Sequence, residues 1–115
     1  LAWYDKRPLF GQRLVVVAPA GELGEILELH GAEVVEVPLP VTPAARAVME
    51  ALPITGCVLC TPDQAEALDE ERDTRSFGPD VVAWCLDEAT ARRARELGWT
   101  RVEQTAPGDL PAAIR

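Results

Sequence analysis

The strongest signal for the architecture lies in residues 14–37, which read LVVVAPAGELGEILELHGAEVVEV. Residues 14–17 form a short apolar run without polar alternation, which is typical of a central strand buried on both faces. The next segment predicts a helix, because its side chains recur at the i, i+3, i+4, i+7 spacing of one helical face. That face consists of Leu23, Ile26, Leu27 and His30. Gly31 fits the left-handed position after a helix, and residues 33–37 then predict a second strand.

Strands and helices continue to alternate after Pro38. The later predicted elements are a helix from Pro43, a strand over residues 56–60, a helix over 61–70, a strand over 81–85, a helix from Asp87 to Gly98, a short edge strand over 101–104 and a last helix capped by Asp109. Such alternation predicts a parallel sheet joined by right-handed crossovers. We therefore expect one α/β domain with a flavodoxin-like fold, a five-stranded parallel sheet in the order 2-1-3-4-5 and helices on both faces.

Two local signals bound the third helix. Thr61 is predicted to cap its N-terminus, with Pro62 at the first helical position and Gln64 completing a capping box. Residues 71–79 are charged or turn-forming and predict a mobile loop. The third helix is therefore expected to begin directly after the third strand and to end before this loop.

Length and composition are those of an ordinary globular domain. The chain has 115 residues, of which 48% are hydrophobic and 26% are charged, close to the average of globular proteins. A single domain fits this size, so we expect an N-terminal arm or linker over residues 1–12 and the α/β domain over residues 13–115. Because the chain begins with Leu1, we expect it to derive from a longer or processed chain.

Charge and hydropathy limit the classes of partner and the cellular compartment that the sequence allows. A formal net charge of −8 disfavours nucleic acid as a partner, since phosphate binding needs a basic surface. No apolar run approaches the ~20 residues of a membrane helix, and no signal core is visible near the N-terminus. Three cysteines without secretion features indicate a reducing compartment. The sequence therefore predicts a cytoplasmic protein with no membrane and no nucleic-acid partner.

Ligands of such folds bind at the carboxyl ends of the strands, where the sequence shows no strong catalytic pattern. Cys57 and Cys60 form a C-x-x-C pattern, but residues i and i+3 of a strand point to opposite faces, which disfavours a shared metal or disulfide. We interpret both as buried strand cysteines. His30, the only histidine, is interpreted as a partly buried residue at a helix end. Gly21 and Gly24 lack the first tight-turn glycine of a dinucleotide fingerprint and have acidic neighbours, so nucleotide binding is disfavoured.

Four segments of the chain carry a family resemblance. Residues 1–13, LAWYDKRPLFGQR, are similar to the junction of bacterial chains that fuse a uroporphyrinogen-III methyltransferase to uroporphyrinogen-III synthase. Residues 31–38, GAEVVEVP, resemble the second strand of the synthase, and residues 58–68, VLCTPDQAEAL, resemble its Phe-Thr-Ser-Pro-Ser-Ala-Val-x-Ala-Leu stretch. Residues 86–91, LDEATA, stand where the family has Ile-Gly-Pro-Thr-Thr-Ala. The synthase is a lyase of porphyrin biosynthesis that cyclises hydroxymethylbilane on the route to heme, siroheme and cobalamin.

The resemblance implies a substrate site at the carboxyl ends of the strands. Its substrate-binding residues would be Ala18, Pro19, Thr61, Pro62, Asp63 and Thr90. The family enzyme needs no metal and no organic cofactor, and it is thought to work by shaping and protecting the cyclisation. The resemblance therefore implies a linear tetrapyrrole as substrate, no cofactor, and no catalytic nucleophile that the sequence must supply.

The chain departs from the family in three ways. The family enzyme holds its substrate between two flavodoxin-like domains, whereas this chain supplies one, as if an inserted domain had been lost from about residues 41–44. The Thr-Arg pair that usually follows the first strand is replaced within residues 17–19. Asp87 and Glu88 are gained at the strand ends, and their charge opposes the many carboxylates of hydroxymethylbilane.

Three hypotheses remain open on the sequence. The chain is a shortened, degenerate synthase-like domain at the C-terminus of a uroporphyrinogen-III methyltransferase, with a role in stability, dimerisation or docking. Alternatively, it is an active synthase whose missing half comes from a second copy in a homodimer or from another chain. In the third hypothesis it is an unrelated flavodoxin-like domain that binds a small ligand.

Overall fold

Strands and helices alternate through the computed structural model, which describes Leu9 and residues 11–51, 53–73 and 80–114. The strands are β1 (Arg13–Val17), β2 (Glu33–Val37), β3 (Gly56–Leu59), β4 (Val82–Cys85) and β5 (Val102–Gln104). The helices are α1 (Gly21–Leu29), α2 (Pro43–Ala51), α3 (Pro62–Asp69), α4 (Glu88–Glu96) and α5 (Leu110–Ile114). No helix in these ranges is long and apolar enough to span a membrane. Residues 1–8 and 10 of the predicted arm and residues 74–79 of the predicted loop lie outside the described residues.

The described strands form one parallel sheet of five in the order β2-β1-β3-β4-β5. Val15 of β1 pairs with Val35 on one side and with Cys57 on the other, so β1 lies inside the sheet. The helices supply the crossovers that parallel neighbours require. The predicted α/β class, the sheet order and the flavodoxin-like arrangement are confirmed.

Different helices cover the two faces of the sheet. Val15 and Val17 belong to the buried cluster that includes side chains of α2, α3 and α4. Leu14 and Val16 belong to a second cluster with Leu27 of α1 and with side chains of α5. Successive strand residues point to opposite faces of the sheet. Since helices cover both faces, β1 is buried at all of its positions. This double burial explains why its sequence is a continuous apolar run.

Contacts at Leu9 attach the last part of the predicted arm to the domain. The Leu9 side chain is fully buried in the cluster on the α1 and α5 face of the sheet. Its backbone N–H donates to the carbonyl oxygen of His30 at 2.9 Å, and its own carbonyl accepts from Gln12 at 3.0 Å. The chain therefore enters the domain beside the C-terminal end of α1.

The predicted helix ends are confirmed at three places. Gly31 has a φ of +103°, the left-handed conformation expected after α1. The Thr61 hydroxyl accepts from the N–H of Gln64 at 3.2 Å, as a cap of α3 should. The Gln64 side chain accepts from the N–H of Cys60 at 2.8 Å, so the second bond of the capping box reaches one residue farther back than predicted. Asp87 caps α4.

Three sequence predictions need correction. Ile26, placed on the buried face of the first helix, has 41% of its surface exposed, because the buried face of α1 is narrower and centres on Leu27. Residues 71–73, predicted as the start of a mobile loop, belong to a 3₁₀ helix, and the buried Glu71 carboxylate binds Arg46 there. Asp109 does not cap α5, because it lies inside a 3₁₀ turn that begins after Ala106.

Candidate functional site

The sheet order brings three loops together at one edge of the sheet. β1 and β3 are neighbours, and β4 lies beside β3. Because the strands are parallel, the loops after all three leave the sheet at the same edge. These loops carry Ala18 and Pro19 after β1, Thr61 to Asp63 after β3, and the start of α4 after β4. The predicted substrate-binding residues therefore fall on one side of the domain.

The first loop is occupied by the protein's own acidic side chain. Ala18 donates its N–H to the Val37 carbonyl oxygen at 2.8 Å, and the peptide bond between Ala18 and Pro19 is cis. Ala20 donates its N–H to the Glu36 carboxylate at 2.8 Å. That N–H lies at the N-terminus of α1, where a ligand phosphate or carboxylate would otherwise be bound. Glu36 takes that position.

The second loop is organised as a helix cap. Thr61 is exposed, but its hydroxyl already accepts from Gln64, and Pro62 and Asp63 form the first turn of α3. Asp63 is exposed and adds negative charge at this helix N-terminus. A ligand at Thr61 would therefore meet a hydroxyl engaged by the backbone and a carboxylate beside it.

Cys60 lies between β3 and this cap and is a poor nucleophile. Its side chain is half-buried, and burial raises the pKa of the Cys60 thiol, with a smaller contribution from the negative charge of Asp87. A raised pKa keeps the thiol protonated at neutral pH, whereas catalysis and metal binding use the thiolate. The arrangement therefore disfavours covalent chemistry at Cys60.

The other two cysteines are structural. Cys57 and Cys85 are fully buried on the face of the sheet that α2, α3 and α4 cover. Burial raises the pKa of Cys85 to about 11. All three cysteines are thiols rather than disulfides. The interpretation of the C-x-x-C pattern as buried cysteines is confirmed for Cys57, whereas Cys60 is half-buried at the end of its strand.

Thr90 lies beneath the surface of the third loop. Its side chain is fully buried, and its backbone N–H donates to the Asp87 carboxylate at 2.7 Å. The adjacent Thr90, through its side chain and then through this backbone N–H, holds the pKa of Asp87 below its ordinary value. A ligand at this edge would therefore meet the ionised Asp87 side chain rather than Thr90 itself.

The strand-end loops are acidic. The sequence of residues 18–21, 38–42, 60–64, 86–90 and 105–109 contains carboxylates but no Lys or Arg. Its acidic members are Asp63, Asp87, Glu88 and Asp109. Within the described ranges, no group of three or more His, Cys, Asp and Glu side chains could hold a metal ion. These loops therefore present helix caps and negative charge, and their sequence contains none of the cationic side chains that bind a polycarboxylate.

A cavity of about 500 Å³ opens at the opposite edge of the sheet, which the sequence analysis did not single out. It is lined mainly by residues that precede the strands, among them Gln12, Thr55 and Arg101, together with Trp84 of β4 and residues of α5. The Thr55 hydroxyl donates to Gln12 at 2.7 Å, and Arg101 donates to the Asp80 carbonyl oxygen at 3.3 Å. These groups already have partners inside the domain. No sequence motif marks the cavity, because its walls come from β4, from the segments that precede β1, β3, β4 and β5, and from α5, which are far apart in the sequence.

Comparisons with known proteins give no relative for this chain. A scan against models of protein families finds no match, and a search of curated proteins finds none either. The chemistry at the strand ends must therefore be judged on the residues present there. They form hydrogen-bonded caps and an acidic surface, without an activated nucleophile at Cys60 and without a basic side chain in the loops.

Proposed function

We propose that this chain is a uroporphyrinogen-III synthase-like domain that no longer cyclises hydroxymethylbilane and has a structural or docking role beside a uroporphyrinogen-III methyltransferase. The proposal draws on the four segments that resemble the synthase and on the junction-like residues 1–13. The sheet order agrees with a flavodoxin-like domain of that enzyme. The proposed setting is cytoplasmic, with no nucleic acid, membrane or cofactor involved.

The hydrogen bond from Ala20 to Glu36 carries the proposal against catalysis. A substrate carboxylate at the N-terminus of α1 would have to displace the Glu36 carboxylate or lie next to it. Two like charges about 4 Å apart repel by roughly 1 kcal/mol in water and by about 4 kcal/mol near a protein surface. Asp63 and Asp87 add the same sign of charge at the neighbouring loops. Hydroxymethylbilane carries many carboxylates, so this edge disfavours it at several points.

The connection between β2 and α2 supports the same conclusion. Residues 38–42 lead directly from one element to the next, at the place where the family inserts its second domain. The family enzyme encloses its substrate between two domains, and this chain offers one such wall. A single open edge cannot exclude water from a linear tetrapyrrole, and it cannot hold both ends of it in the geometry that ring inversion requires.

The test is a product assay with hydroxymethylbilane that separates type III from type I uroporphyrinogen. The bilane closes to type I when no enzyme is present. We expect the folded chain to give only type I, as in the protein-free control, while a complete two-domain synthase gives type III. Type III in excess of the protein-free control would overturn the proposal. In that case the chain's oligomeric state would show whether a homodimer supplies the second half.

A further inference from the structure

Two large apolar side chains of α1 face solvent. Leu29 has 80% of its surface exposed and Ile26 has 41%. The i, i+3 spacing places them on one side of the helix, while Leu27 and Gly24 face the sheet. Leu39 and Val48 are also exposed, but they lie in the loop after β2 and on α2. Among the residues that the structure describes, α1 is therefore the helix on which two large exposed apolar side chains adjoin.

Carboxylates surround this apolar pair. Glu22, Glu25 and Glu28 are exposed on the same helix, and α1 contains no Lys or Arg. Glu22 lies four residues before Ile26, and Glu25 lies four residues before Leu29, the spacing that places side chains next to each other on a helix. The solvent-exposed side of α1 is thus an apolar stripe with an acidic border, which we call the α1 face.

We propose that the α1 face docks a basic amphipathic segment of a partner protein. This deepens the proposed function and rests on it, because a domain with a docking role needs such a surface. Leu or Ile side chains of the segment would cover Leu29 and Ile26, and its Lys or Arg side chains would pair with the bordering carboxylates. Helix-in-groove recognition combines the same two elements, apolar anchors at helical spacing and charges at the border.

The negative charge of the α1 face favours a basic segment over a second copy of the chain, a membrane surface or a nucleic acid. A second copy docked through the same face would bring Glu22, Glu25 and Glu28 of both copies together, and like charges across an interface are disfavoured. An anionic membrane surface and a nucleic acid would meet the same repulsion. A cationic polypeptide is attracted by the border and by the net charge of −8.

The first experiment titrates the ¹⁵N-labelled chain with a 14-residue helical peptide of Leu, Lys and Ala whose leucines recur at i, i+3, i+4 and i+7. We expect amide shift changes concentrated on α1 and weaker binding as salt rises. A peptide with Glu in place of Lys should not bind. Absence of shifts, or shifts spread equally over α3 and α4, would overturn the proposal.

Protein variants separate the α1 face from general attraction to an acidic protein. Leu29→Ser should weaken peptide binding about tenfold, because it removes the most exposed apolar anchor. Val48→Ser is the matched control, since Val48 is half exposed on α2 and should leave the affinity unchanged. Equal affinities for both variants would overturn the proposal. Type III product in the hydroxymethylbilane assay would instead overturn the proposed function, so the two failures are distinguishable.

Discussion

The buried Arg13 guanidinium donates to the carbonyl oxygen of Met49 at 3.2 Å and so closes the C-terminal end of α2. A second nitrogen of the same group donates to Val48 at 2.6 Å, and the Nε donates to the Glu33 carboxylate at 3.1 Å. The last carbonyl groups of a helix have no partner within it. Arg13 supplies partners to two of them and brings a positive charge to the negative end of the helix dipole.

Arg13→Met should lower the free energy of unfolding by about 2–4 kcal/mol, because it leaves helix-end carbonyls without charged donors in a buried place. The free energy of unfolding of Arg13→Lys should lie between those of Arg13→Met and the wild type, since one ammonium group cannot reproduce the several donors of the planar guanidinium. Urea unfolding at pH 7 measures both values.

Glu33→Gln is the control for the ion pair alone. Glu33 is 56% exposed at its side chain, and a pair with an exposed member contributes about 0–1 kcal/mol. If Glu33→Gln proved as costly as Arg13→Met, the stabilising contact would be the ion pair rather than the end of α2.

The sheet could be predicted from the sequence, whereas the role of Arg13 could not. β1 is buried on both faces, so its apolar run carries its own signal, and alternating helices and strands leave few parallel topologies. In the sequence, Arg13 is only the residue that precedes that run. Its partners Glu33 and Met49 lie 20 and 36 residues away, and only the pairing of β1 with β2 and the position of α2 bring them together.

The candidate site, too, could be predicted only in part from the sequence. The general rule for parallel sheets placed the loops correctly at one edge. It could not show that Glu36, from the neighbouring strand, binds the N–H of Ala20. Nor could spacing show that Thr90 turns inward while Asp87 stays exposed, because both residues belong to the same cap. These features depend on packing between elements.

Asp87 predicts a pH dependence of stability. Its pKa is lowered in the folded protein by the adjacent Thr90, so the unfolded chain takes up the proton first as pH falls. The contribution of Asp87 to stability is therefore complete at pH values well above its ordinary pKa of 3.8. It is lost as pH falls through the lower pKa of the folded protein. Asp87→Asn keeps a capping side chain but loses this dependence. We expect a stability difference between the two proteins at pH 7 that shrinks towards pH 2–3, as measured by urea unfolding. A difference independent of pH would contradict the assignment.

The cysteines should differ in reactivity towards a thiol reagent at pH 8. Cys57 and Cys85 are fully buried, and burial raises the pKa of Cys85 to about 11. They should react only when the domain opens. Cys60 is half-buried, and burial raises its pKa as well, so it should react slowly in the native state. Cys60→Ser should abolish the native reaction. Rapid labelling that survives this substitution would show that a strand cysteine is accessible.

Gly56 should not tolerate a side chain. A Cβ at this position would lie 2.9 Å from Nε1 of the Trp84 ring and 3.1 Å from a methyl carbon of Leu14. Gly56 is buried in β3, directly between β1 and β4, and Leu14 and Trp84 stand on those two strands, so an added methyl group must displace side chains that pack beside it. Gly56→Ala should therefore cost about 1–3 kcal/mol. Gly108→Ala is the control, because no atom lies within 4 Å of its added Cβ, and it should change stability by less than about 0.5 kcal/mol.

A double-mutant cycle with Trp84→Phe tests whether the Trp84 ring is the side chain that clashes with a methyl group at position 56. The smaller Phe ring removes the indole nitrogen nearest the added Cβ, so the cost of Gly56→Ala should fall in the Trp84→Phe background. The two changes should then be non-additive by about 0.5 kcal/mol or more, as expected for residues in contact. Additive costs would mean that Leu14, rather than Trp84, excludes the methyl group. In that case the cycle repeated with Leu14→Val should recover the coupling.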